Sequence, residues 1–180
     1  MNLYERPGDS ELTRFELLVM SLGTLAETLG SSIAKSVWEH EEGRSISSKL
    51  GSLFGKGAPS ADLQARCFLS VLSIAVHEII RKSAKMDPHD PHGFQDRFIP
   101  EILRTFIGQD FHEVFLHAAN KNIDDLQAVG SRDIDETTYI FRMSGRFFEG
   151  SDLPGRIAVS AAFPAVVKGV KEALEVLEQN

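Results

Sequence analysis

From Phe15 onward the large apolar residues fall at Phe15, Leu18, Leu22, Leu25 and Leu29. This three-four alternation predicts an α-helix lying lengthwise on its neighbours. The pattern continues through Ile33, Val37 and Trp38 towards Glu42. Upstream, Pro7-Gly8 followed by Asp9-Ser10-Glu11 reads as a helix start, a capping side chain ahead of an acidic first turn. A stripe of small residues, Gly23, Ala26, Gly30 and Ala34, runs beside the apolar one. Glycine inside a helix costs about 1 kcal/mol against alanine, so two of them seven residues apart imply the close approach of another backbone.

Residues 43–60 have a different texture, rich in serine and glycine, and read as a flexible connector. A short amphipathic turn at Ile46, Leu50, Leu53 and Phe54 fits inside it. Gly55-Lys56-Gly57 is not a phosphate loop: Gly51 stands one residue too close, and glycine replaces the Ser or Thr that should follow the lysine. Ser60 is placed to cap a second helix running to about Lys85. The middle of that helix, Cys67 to Val76, is apolar on nearly every face, as a central buried helix requires. Its end turns basic at Arg81, Lys82 and Lys85, where the helix dipole favours cations.

A third helical pattern carries Phe94, Phe98, Ile102 and Phe106, with Pro100 as a kink or restart. Asp110 to Glu113 has capping-box spacing and opens a fourth, turning Val114, Phe115, Ala118, Ile123 and Leu126 inward. Asp133-Ile-Asp-Glu136 is another capping start. The run Thr137 to Met143 is also strand-prone, so a small hairpin near 137–148 is the alternative to a helix there. The shared face of Ile140, Met143 and Phe147 favours the helix. Val167, Val170, Leu174 and Leu177 form a last stripe, with Pro164 in the first turn of its helix. No repeat of 20–50 residues is visible. The sum is an all-α, single-domain bundle of about six helices over residues 1–180.

Composition supports that picture and narrows the function. A chain of 180 residues with 42% apolar and 25% charged residues has the length and content of one globular domain with its own core. A single cysteine, Cys67, cannot form an internal disulfide, which favours a reducing cytoplasm. Its apolar setting makes it an inert thiol. The net charge of −7 opposes nucleic-acid binding, whose affinity comes largely from neutralised phosphates. The N-terminus lacks the basic-then-apolar order of a secretory signal. The most apolar window, Cys67–Val76, is much shorter than the ~20 residues that span a bilayer, so no membrane insertion is expected.

Three groups of residues are candidates for chemistry. The stretch KMDPHDPHGF brings together Asp87, His89, Asp90 and His92, all ligands suited to a divalent metal such as Zn²⁺, with His77 and Glu78 near enough in sequence to complete a shell. The structural reading of the same residues is simpler: Asp-Pro pairs cap and stiffen a turn between helices. Arg142, Arg146 and Arg156, interleaved with Phe147 and Phe148, form a basic-aromatic cluster that suits an anion. Acidic neighbours Glu149 and Asp152 favour an internal ion-pair network instead.

Other motifs fail on spacing. His112 and His117 are five apart and diverge by about 140° on a helix, so the zinc-protease pair is absent. No Glu-x-x-His occurs for a di-iron bundle, and no serine stands in a nucleophile elbow. Haem needs only one axial histidine, such as His77 or His117, and stays an alternative for that reason alone. The sequence therefore predicts no cofactor, and a non-catalytic interaction or regulatory module. That module works through helix faces, Gly23, Ala26, Gly30 and Ala34 above all, as a homodimer or on a partner helix. A metal-dependent enzyme or a metal or haem sensor built on residues 87–92 is the alternative.

Overall fold

The computed structural model describes residues 14–44, 58–86, 93–148 and 152–179. Among them the chain forms six α-helices, one 3₁₀ turn and no strand. These are α1 (Arg14–Arg44), α2 (Ala61–Met86), α3 (Gly93–Phe106), the 3₁₀ turn Gln109–Phe111, α4 (His112–Gly130), α5 (Glu136–Ser144) and α6 (Leu153–Gln179). The all-α bundle of about six helices is thus what the periodicities predicted, and residues 136–144 are helix, not hairpin. The start signal at Pro7–Glu11, the amphipathic turn within the connector and the turn residues Asp87, His89, Asp90 and His92 lie outside the described residues.

The bundle is built around α2, which touches all five other helices. Every residue from Val71 to Ile80 is buried, as the unbroken apolar run required. Ser60 caps this helix as expected, its Oγ accepting the Leu63 N–H at 3.1 Å. Ser60→Ala should therefore lower stability by about 1 kcal/mol, read as a shift in the urea midpoint at unchanged slope.

Helix α1 lies along α2 and α6, with Leu18, Leu22, Ala26, Ile33, Ala34 and Val37 buried. α3 crosses its start, where Phe15 meets Phe98 edge to face at 6.0 Å between centroids. α4 and α5 cover another side of α2.

By length and composition alone, Phe15–His40 of α1 and Ala61–Lys82 of α2 are apolar enough to cross a bilayer. In α2 the cause is local, because its middle is the core of the bundle.

Two helix starts differ from the expectation, and a third is made specific. α4 is not opened by a capping box: its N-cap position is Phe111, without a side-chain cap, after the 3₁₀ turn closed by Phe111 N–H to the Gly108 carbonyl at 2.9 Å. Its buried face is Phe115, Ala118, Ala119 and Asn122: Phe115 and Ala118 face inward as expected and Leu126 packs against the core, whereas Val114 is left 50% exposed. α6 starts eleven residues before Pro164, at Leu153. There Asp152 accepts the Gly155 N–H at 3.1 Å, and Pro154 occupies a first-turn position whose missing N–H costs nothing. Pro164 is tolerated inside the helix on an exposed position, while Val159, Val166 and Val170 hold both sides to the core. Within the capping start Asp133–Glu136, the residue that caps α5 is Asp135, through Thr138 N–H to Oδ1 at 2.7 Å.

Candidate functional site

Polar side chains inside the bundle concentrate where α2 meets α4 and α5. Ser73, His77 and Glu78 of α2, Asn122 of α4 and Ser144 of α5 are all at most 3% exposed. One arm of the cluster joins α2 to α5: the Tyr139 hydroxyl meets His77 Nε2. A second joins α2, α4 and the turn that follows α5 through a chain of bonds. Asn122 Nδ2 donates to Ser73 Oγ at 3.1 Å, and Arg146 Nε donates to Asn122 Oδ1 at 3.2 Å. Arg146 also reaches the Lys121 carbonyl at 3.1 Å and pairs with Asp125, which holds Arg142 at 3.1 Å on its other oxygen. On α2 itself Glu78 takes Arg81 bidentately, at 3.1 and 2.7 Å.

The protonation states follow from burial. Burial pushes the His77 imidazole down to about 4, an effect the Glu78 carboxylate opposes and the Arg81 guanidinium reinforces. Burial also raises the Tyr139 hydroxyl well above the usual phenol range, with Glu78 adding to it. At neutral pH, then, Tyr139 O–H donates to an unprotonated Nε2 and the ring proton of His77 sits on Nδ1. Arg81 is held more firmly protonated by its hydrogen bond to Glu78. The Cys67 thiol is fully buried and pushed up to about 12, by burial first and by Asp152 second. It stays a thiol, as the sequence reading required, and is no nucleophile.

The predicted site residues part company here. His77 and Glu78 are engaged with Tyr139 and Arg81, and no cluster of three His, Cys, Asp or Glu side chains suited to a metal occurs among the described residues. His117 is exposed. Arg142 and Arg146 share Asp125 on α4, an ion-pair network internal to the bundle, while Glu149 lies outside the described residues. Arg156 does not join them: its guanidinium lies 4.5 Å over the Phe141 ring, admitted by Gly145, whose missing side chain would collide with it. Its Nε is buried and has no hydrogen-bond partner among the described residues.

Gly23, Ala26, Gly30 and Ala34 are buried within the chain, so the stripe is not an open face. Phe106 fills the space at Gly23, and the α2 backbone at Phe68 approaches Gly30.

Sequence reasoning missed Ser73, Asn122, Asp125 and Tyr139. Their signal was a polar group in a buried phase of a helix. Ser73 and His77 stand four apart inside an apolar run, and Asn122 stands four after Ala118.

Large apolar side chains reach the surface in groups along the α1–α6 seam. At one end Leu17 and Met20, 37% and 53% exposed, flank a groove of about 510 Å³ with Leu25, Gly169 and Ala173. At the other, Leu153 and Ile157, 52% and 53% exposed, flank one of about 420 Å³ with Val37 and His40. Three ion pairs stand on these two helices: Lys35 with Glu39 at 4.0 Å, Lys168 with Glu172 at 3.5 Å and Lys171 with Glu175 at 3.4 Å. No protein-family model, curated protein or solved structure matches this chain.

Proposed function

We propose that the chain is a non-catalytic helical interaction module that associates with a second copy of itself through the α1–α6 seam. The observation that supports this is the grouping of exposed apolar side chains, Leu17 with Met20 and Leu153 with Ile157, each beside a groove. Single apolar side chains on a surface are ordinary, whereas groups of them lining a groove with charged residues nearby have the makeup of an interface. Grooves between helices also accept the apolar face of another helix. A two-fold arrangement would let each copy offer both halves of the contact.

Native mass spectrometry and sedimentation of the untagged protein test this. A dimer is expected, with Met20→Glu and Ile157→Glu each weakening it by about tenfold or more while the helical circular dichroism is kept. A monomer across the accessible concentration range would overturn the reading, as would a dimer indifferent to both substitutions. A monomer carrying one divalent ion would move attention to Asp87, His89, Asp90 and His92.

A further inference from the structure

The small residues of α1 do more than admit α2. Gly23 and Gly30 flank Glu27, and each makes room for an aromatic residue. The Phe106 ring lies where a Gly23 side chain would stand, and the α2 backbone at Phe68 comes within 3.0 Å of a Gly30 Cβ position. The two rings meet edge to face with centroids 6.5 Å apart. Together with Phe111, 54% exposed on the 3₁₀ turn, they line a concave space of about 360 Å³ between α1, α2 and the end of α3. That volume is in the range of small-molecule sites.

The polar lining has one sign. Glu27, Ser31 and Gln64 face the space, and no lysine, arginine or histidine lines it. Glu27 makes no ion pair or hydrogen bond among the described residues. Gln64 has one amide donor tied to the Pro59 carbonyl at 2.9 Å, which leaves its side-chain oxygen as an acceptor.

We propose that this space binds a small organic cation with an apolar body, a protonated or quaternary amine carrying a ring or short alkyl group. Phenyl faces attract cations through the ring quadrupole, and Glu27 supplies the counter-charge. An anion would meet that carboxylate and a chain of net charge −7. A neutral apolar molecule would cover the carboxylate without compensating it. The glycines of α1 thereby acquire a reason beyond helix packing, since any side chain at position 23 displaces the ring that forms one wall. The site lies off the α1–α6 seam and does not depend on self-association.

The probe is benzyltrimethylammonium, titrated by ligand-detected NMR against benzyl alcohol, which carries the same ring without the charge. Saturable binding of the cation is expected, with benzyl alcohol weaker by about tenfold. Glu27→Gln and Phe111→Ala, both at exposed positions, should each weaken it by about five- to tenfold. Glu39→Gln, which removes an equal charge elsewhere on α1, should leave binding unchanged. Gly23→Ala should keep the fold and lose binding. The proposal is overturned by absence of saturable binding in the unaltered protein, by equal affinity for benzyl alcohol, or by a Glu27→Gln protein that binds as well as the original.

Discussion

Gly30→Val should lower the stability of the bundle by about 3 kcal/mol. At Gly30 a Cβ would stand 3.0 Å from both the backbone N and Cα of Phe68, and 3.3 Å from the Cys67 carbonyl carbon. These are backbone atoms of the most buried helix, so they cannot swing aside as a side chain would. Relief requires α1 and α2 to separate along a seam packed by Leu22, Ala26, Ile33 and Ala34 on one side and Val71 and Leu72 on the other. Overpacking of this kind costs about 1–3 kcal/mol, and the branched side chain places two more carbons in the same space. Gly30→Ala is expected to cost less, about 1 kcal/mol, because the gain in helix propensity offsets part of the clash. Gly130→Ala is the control: nothing lies within 4 Å of its Cβ position, and the change should be neutral or slightly stabilising. Urea unfolding of the three variants decides the matter. Gly30→Val with an unaltered midpoint would show that the close approach of α1 to α2 is not what holds the pair.

The two glycines also mark how far the sequence could be read. Their spacing announced that a backbone comes close, and one does, at Gly30. It could not announce whose backbone, since an intramolecular helix and a second molecule place the same demand on a stripe of small residues. The identity of the partner is a long-range fact: at Gly30 the approaching backbone is that of Phe68 and Cys67, in α2 of the same chain. Helix existence was legible throughout because each apolar stripe has its own period. Boundaries were less so. Pro164 signals a first turn, but the Asp152–Pro154 start lies upstream and packing on both sides of Pro164 overrides its lost hydrogen bond. The polar cluster was nearly illegible. His77 and Glu78 attracted attention as metal ligands, and Arg142 and Arg146 as an anion site, yet their partners Tyr139, Arg81 and Asp125 are assigned by how α2, α4 and α5 meet. Nothing within a short window of the sequence specifies that meeting.

Acid should weaken this bundle through His77 in a defined window. The ring is 3% exposed and its pKa is held at about 4, against about 6.5 in the unfolded chain. The sign follows from proton binding. Below pH 6.5 the unfolded chain takes up a proton at this position that the folded chain refuses, so protons favour unfolding. The contribution is complete above about pH 6.5 and is lost progressively as the pH falls towards 4, reaching about 3 kcal/mol. Glu78 and Arg81 on α2 face the ring with opposite charges, and Tyr139 on α5 donates to it, so protonation at Nε2 also removes the acceptor of the Tyr139 hydroxyl. Carboxylates held low by their hydrogen bonds, such as Glu101 and Asp135, add acid sensitivity of their own. The His77→Gln variant separates the two sources. Its amide oxygen can still accept from Tyr139, but it binds no proton in this range, so its stability at pH 7 should fall modestly while its profile between pH 6.5 and 4 flattens by up to about 3 kcal/mol. Parallel profiles for the two proteins, measured by urea midpoints at half-unit steps of pH, would mean that His77 is open to solvent when the bundle is folded, and that the α2–α5 contact is looser than its hydrogen bond implies.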